Sequence, residues 1–155
     1  MNRQKHMTTS LADEFIGMIC YHWQNLQQAR YSPNEFAHIH VEWFTHKGRL
    51  CSKQYQHSNA VVYRERAYDV EDRGDLLILS SEDYPRYCIS KTNYGFYGKT
   101  ADGAKLDDGT EIESKLFLSN VKMEVIDRGR LNGKMLWGEV PGPFIFHKSN
   151  GIFST

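Results

Sequence analysis

Arg64 and Arg66 stand two apart in the run Ala60–Val70. The two-residue period of a β-strand puts them on one face with Tyr68, and Tyr63, Glu65 and Asp69 on the other. Two guanidinium forks on one face match two carboxylates by bidentate hydrogen bonds, a geometry that flexible lysines reproduce less well. The same spacing also describes a solvated face whose arginines pair with nearby acids such as Glu65. Asp127 precedes Arg128-Gly129-Arg130, where the pattern reads as a strand entering a turn, so its carboxylate either projects into a pocket or accepts hydrogen bonds from its own backbone. His38 and His40 share a strand face, as two metal ligands would. No third ligand has supporting spacing and the cysteines are scattered, so no metal is expected. Cys88 has no evident partner base to lower its pKa, which favours a buried structural thiol over a nucleophile. Tyr84, Tyr87, Tyr94, Phe96 and Tyr97 are either core or pocket wall, and Trp137 and Phe144 share that ambiguity.

The apolar pattern predicts the scaffold that must position these groups. Ala12, Phe15, Ile16, Ile19, Trp23 and Leu26 recur at helical spacing after Ser10-x-x-Asp13, a start like a capping box, and predict one helix ending before Pro33. From Phe36 onward, segments rich in Val, Ile, Tyr, Phe and Thr are broken by turn signals at Lys47-Gly48, Ser58-Asn59, Asp72-Arg73-Gly74, Asp102-Gly103, Asp108-Gly109 and Asn132-Gly133. Strands are expected near 36–46, 49–56, 60–70, 75–81, 86–92, 94–100, 110–118, 121–128, 134–140 and 143–148. Such a meander suits a closed up-and-down barrel whose helix plugs or flanks one end, because closure removes exposed strand edges; a sandwich is the alternative. A barrel of about eight or more strands encloses one small ligand among its inward side chains.

Composition narrows the partners. The 155 residues fit a single domain, 1–155, with residues 1–9 expected to form a disordered N-terminus. Nineteen Lys and Arg balance nineteen Asp and Glu, which removes long-range attraction to phosphate and argues against nucleic acid. Cys20, Cys51 and Cys88 fit neither a zinc ribbon nor a disulfide scaffold, and point to a reducing cytoplasm. No apolar stretch follows the charged start and no apolar run reaches spanning length, so neither export nor membrane insertion is expected. Three Trp, nine Tyr and eight Phe against four Pro indicate order and would suit the wall of a flat-ligand pocket.

Five blocks in series carry a family resemblance: Asn25-x-x-Gln28 with Pro33 and Ala37-His38-Ile39; Tyr63-Arg64-Glu65-Arg66-Ala67-Tyr68; Cys88 with Phe96-x-Gly98; Asp127-Arg128-Gly129-Arg130; and Leu136-Trp137-Gly138 followed by Pro141-Gly142-Pro143-Phe144. Their order resembles the CpcT/CpeT-type (T-type) phycobiliprotein lyases from about Phe15 to Lys148, and the chain looks like a compact CpeT-like member. The resemblance implies an all-β, calycin/lipocalin-like antiparallel up-and-down barrel with an N-terminal helix. It implies binding of an open-chain tetrapyrrole, phycoerythrobilin or phycocyanobilin with a lean to the former, as substrate and not as permanent cofactor. It further implies delivery of that bilin, through a thioether bond, to a cysteine of a phycobiliprotein β-subunit. In this picture Arg64 and Arg66 anchor propionates and Asp127 is the catalytic group, holding pyrrole nitrogens and favouring the protonated chromophore. Tyr63, Tyr97, Arg128 and Trp137 complete the bilin site. The client's thiol attacks the ethylidene carbon, so the lyase needs no nucleophile of its own. Two features depart from the family pattern: the stretch between Leu79 and Arg86 is shorter than in typical members, and a second cysteine is missing around Ala104-Lys105. Both bear on client recognition, and the compact form suits a viral or otherwise streamlined genome. A bilin chaperone or carrier without transferase activity is therefore the alternative function, ahead of a generic lipocalin-like carrier. An exposed aromatic helix or strand edge leaves room for a homodimer.

Overall fold

The computed structural model describes residues 9–138 and 140–149. The expected disordered N-terminus lies outside the described residues except for Thr9, which is exposed. The chain runs α1 (Leu11–Ile19), β1 (His22–Gln24), α2 (Leu26–Tyr31), β2 (Ile39–His46), β3 (Arg49–Gln56), β4 (Val62–Asp72), β5 (Leu76–Ser81), β6 (Tyr84–Lys91), β7 (Gly95–Thr100), β8 (Glu111–Ser119), β9 (Lys122–Leu131), β10 (Lys134–Trp137) and β11 (Phe144–Lys148). Strands β2 to β9 form an antiparallel meander; β11 returns beside β9, and β1 lies between β11 and β2. With the β8–β9 pairing this closes a ring of ten strands, and β10 is an arm hydrogen-bonded to the far end of β9. The barrel is therefore the outcome, and the sandwich is excluded.

The single predicted helix is in fact α1 and α2 with a strand between them. Trp23 fits the helical period, but its side chain is fully buried in the barrel and its indole N–H donates to the Ile19 carbonyl at 2.8 Å. As β1, Trp23 pairs with Val41 on one side and Lys148 on the other. Backbone hydrogen bonds on both sides close the barrel, and a helix there would leave two edges unpaired, so the tertiary demand overrides local propensity.

Helix α1 plugs one end of the barrel. Ser10 Oγ accepts from the Asp13 amide at 3.1 Å, and Asp72 Oδ2, at the end of β4, accepts from the Ala12 amide at 2.9 Å, so two otherwise orphaned N–H groups are satisfied. Its apolar face buries Phe15 and Ile19 completely, with Phe15 edge-on to Phe96 at 5.2 Å. Leu77, Leu79, Ile89, Leu116, Leu118 and Met123 continue this core into the lumen.

Candidate functional site

In the ring of ten, β4 and β9 stand five places apart and so face each other across the lumen. β4 brings Arg64 and Arg66 inward and β9 brings Asp127, and one pair meets: Arg64 Nη1 donates to Asp127 Oδ2 at 2.7 Å. Arg64 lies eight residues from Asp72, about 27 Å along β4, which places this pair at the end opposite the α1 plug. The lumen there is a cavity of about 210 Å³, walled by apolar side chains such as Val41, Leu79, Ile89, Leu116 and Phe146, with Arg64, Arg66 and Asp127 as its charged groups.

Asp127 is densely bonded. Its Oδ1 accepts from Tyr84 Oη at 2.8 Å, from Ser114 Oγ at 3.2 Å and from Trp137 Nε1 at 3.2 Å, whereas among the described residues Oδ2 accepts from Arg64 alone. A carboxylate offers about four lone-pair positions, so the free one is on Oδ2. Burial by itself would raise the Asp127 pKa, but the Arg64 and Arg66 charges and the hydrogen bonds from Tyr84 and Trp137 outweigh it and hold the carboxyl below its ordinary value. Burial and the adjacent carboxylate push the Tyr84 hydroxyl far above an ordinary phenol, so it remains a donor. The Arg66 guanidinium stacks over the Tyr84 ring at 3.7 Å from the centroid. No carboxylate lies within ion-pair distance of Arg66 among the described residues, so the cavity carries one uncompensated positive charge.

Two local devices shape the mouth. The β3–β4 register slips between Gln54 and Tyr55, making Tyr63 an extra residue opposite them. That bulge lets Tyr63 line the cavity beside its neighbour Arg64, while its hydroxyl accepts from Gln54 Nε2 at 2.6 Å. Gly129 is the second device. A Cβ there would fall 2.4 Å from the Trp137 ring, so only glycine allows the indole to lie against β9 within reach of Asp127.

Five of the seven residues expected at the site, Asp127, Arg64, Arg66, Tyr63 and Trp137, thus share one cavity. Tyr97 and Arg128 do not, which corrects the expectation for both. Strand alternation turns Phe96 and Gly98 inward, so Tyr97 faces outward and packs on Phe117 with centroids 4.7 Å apart. Arg128, next to inward Asp127, points away from the lumen, 3.6 Å from Glu113 Oε1, into a separate polar cleft shared with Lys99, Glu111, Lys115 and Arg130. The turn expected after Asp127 is also displaced. β9 continues to Leu131 and turns at Asn132-Gly133, which leaves Asp127 in mid-strand and removes the reading in which it caps its own backbone. Nor do the arginines pair with Glu65, which is exposed on the opposite face. Cys88 is exposed on the outer wall, so it is not the buried thiol expected. Tyr84 as a partner of Asp127, and Ser114 altogether, escaped the sequence reading. Ser114 reaches Asp127 because β8 places the two directly opposite, a register that no local signal reveals.

A closed antiparallel barrel, plugged at one end and charged at the other, has a calycin-like fold. The T-type likeness expected from the sequence blocks is found in the fold. The structure is similar to that of the T-type phycobiliprotein lyase CpeT from Prochlorococcus phage P-HM1, with a TM-score of 0.77 and 22% identity over 92% of this chain and 100% of that one. It is also similar to the CRL protein of Arabidopsis, with a TM-score of 0.68 and 16% identity over 86% of this chain and 94% of that one. No protein-family model and no curated protein matches the sequence.

Proposed function

We propose that the chain is a single bilin-binding domain that acts as a phycobiliprotein lyase. It takes up a phycobilin, with phycoerythrobilin as the first choice, and presents it to a cysteine of a phycobiliprotein β-subunit. The observation that carries this reading is the cross-lumen pair Arg64–Asp127 with Arg66 left uncompensated beside it. A bilin offers what that arrangement lacks: propionates for Arg66, and pyrrole N–H donors for the free lone pair on Asp127 Oδ2. The enclosed 210 Å³ is below the roughly 300–1,000 Å³ of common small-molecule sites, so a tetrapyrrole fills the lumen with part of its length and extends past half-exposed Tyr63. That leaves one end open to a client.

In the transfer step the client's sulfur bonds to the ethylidene carbon. The electron pair of that double bond moves into the protonated tetrapyrrole, and the thiol's proton is lost to solvent. The net change adds S–H across the double bond, with nothing oxidised or reduced. Asp127 favours the protonated, more electrophilic chromophore, and the barrel contributes orientation. Retention without transfer, the chaperone reading, has one observation in its favour. The β5–β6 turn consists only of Glu82 and Asp83, where the family resemblance implies a longer insertion suited to client recognition.

Titration of the protein with phycoerythrobilin and with phycocyanobilin, followed by absorbance, tests the site. A saturable red-shifted complex is expected, weakened at least tenfold in the Arg64→Ala/Arg66→Ala double variant. A folded wild-type protein that shifts neither spectrum sinks the proposal. Incubation of the complex with a β-subunit then separates the two activities, since only a lyase forms a thioether. Cys88→Ser should transfer at the wild-type rate, because the exposed thiol stands on the outer wall; loss of transfer with the fold intact would make it a participant.

A further inference from the structure

The outer wall of β1, β2 and β3 gathers four of the seven histidines, on the face opposite inward Trp23, Ile39 and Val41. His40 sits at the centre and is only 8% exposed. Its Nδ1 is 2.7 Å from His22 Nε2 and its Nε2 is 2.8 Å from His57 Nδ1. His38, two residues earlier on the same face, stacks on His57 with centroids 4.3 Å apart. The His57 amide donates to the His38 carbonyl at 2.9 Å, which fixes the start of the β3–β4 turn beside β2.

The geometry points to a binding site for a late first-row divalent cation such as Zn²⁺, held by His38, His40 and His57 with a fourth position open to water. One ring nitrogen from each of these residues lies within 4.8 Å of the other two. A tetrahedral ion with bonds of 2.0–2.1 Å holds its nitrogens about 3.3 Å apart, so the 2.8 Å pair opens slightly and the wider separations close. The χ2 torsions that make this adjustment are broad in histidine. The surrounding hydrogen bonds also select the nitrogens. His38 Nε2 donates to Gln24 Oε1 at 2.8 Å, and the Gln24 amide is oriented by its own donation to Ser149 Oγ at 2.8 Å, so the His38 lone pair is on Nδ1. In the loaded site His40 Nδ1–H donates to His22 Nε2, leaving Nε2 for the ion, while His57 contributes Nδ1. A second ring nitrogen tied to an acceptor is the usual support for a histidine ligand. Imidazole donors without carboxylate or thiolate favour zinc, nickel or copper over magnesium or calcium. Tyr55 stacks on His40 and donates to Glu42 Oε2 at 2.7 Å, so that carboxylate oxygen is already engaged. The loaded ion would join β2 to the turn leading into Tyr63 and Arg64, so it would brace the cavity mouth from outside.

The test is calorimetric titration of the tag-free protein with ZnCl₂, with thermal melts before and after chelation. Wild type should take up one zinc saturably at micromolar or tighter affinity and melt higher when loaded. His38→Gln, at a partly exposed ring, and His57→Gln, at an exposed one, should each weaken uptake at least tenfold and abolish the melting shift. His46→Gln, on β2 but outside the cluster, should change neither. Absence of saturable uptake by wild type, or equal uptake by the His38 and His57 variants, overturns the site. MgCl₂ should give no heat, and a matching response to it would mean surface adsorption and overturn the site equally. Bilin binding plays no part in these readouts.

Discussion

Asp127→Asn should fold, yet hold bilin in its unprotonated, shorter-wavelength form and transfer it poorly. The change keeps a carbonyl oxygen for Tyr84, Ser114 and Trp137, but puts an NH₂ group where Oδ2 now accepts from Arg64 at 2.7 Å. Two donors then face each other, and Arg64 loses its counter-charge while Arg66 stays uncompensated. A carboxylate within contact distance raises the pKa of a cation by about 1–3 units, or about 1.4–4 kcal/mol. Above the bilin's own pKa, the protonated fraction should therefore fall by about 10- to 1,000-fold, read directly as lost long-wavelength absorbance in a pH titration. An identical titration in wild type and variant would remove Asp127 from the mechanism. Stability supplies a second readout. The Asp127 pKa is lower in the folded chain than in the unfolded one, so its contribution is complete above the unfolded value near 3.8 and is lost as pH falls through the folded value. Wild type should lose that increment in acid, and the asparagine variant should show a flatter acid limb in urea melts.

Trp23→Ala should be the most destabilising single change in the barrel wall. The indole is fully buried, is edge-on to Tyr21 at 6.5 Å, and holds the Ile19 carbonyl that terminates α1. Truncating a buried tryptophan costs about 3–5 kcal/mol, against total stabilities of about 5–15 kcal/mol. At this chain length that is a fall of about 6–20 °C in the melting midpoint. The loss should be greater than packing alone gives, because β1 is only three residues long and joins β2 to β11. Tyr31→Ala, at a residue 86% exposed, is the control and should stay within about 0.5 kcal/mol of wild type. A midpoint in Trp23→Ala within 2 °C of wild type would show that the seam does not depend on this residue.

Spacing along the chain reveals only part of the histidine cluster. His38 and His40 are visible as a pair because a strand repeats every two residues, but His57 follows β3 and His22 sits on a strand hidden inside a helical pattern. They meet only because β1, β2 and β3 lie side by side. The same distinction explains Tyr97 and Arg128, whose motif blocks are right in sequence while strand alternation faces them outward.

By itself the sequence determined the ten strands from 36–46 to 143–148 to within a few residues, the up-and-down barrel, the helix start at Ser10 and the shared face of Arg64, Arg66 and Tyr68. Each of these rests on turn chemistry or a short period, which act over a few residues. Tertiary structure decided that Trp23 closes the ring as a strand, that Arg64 pairs with Asp127 across the lumen and not with Glu65 nearby, and that Ser114 and Tyr84 complete the carboxylate's partners. Those outcomes follow from ring order and register. Residues 63 apart become neighbours only when ten strands close, and no local propensity encodes which of them will face each other.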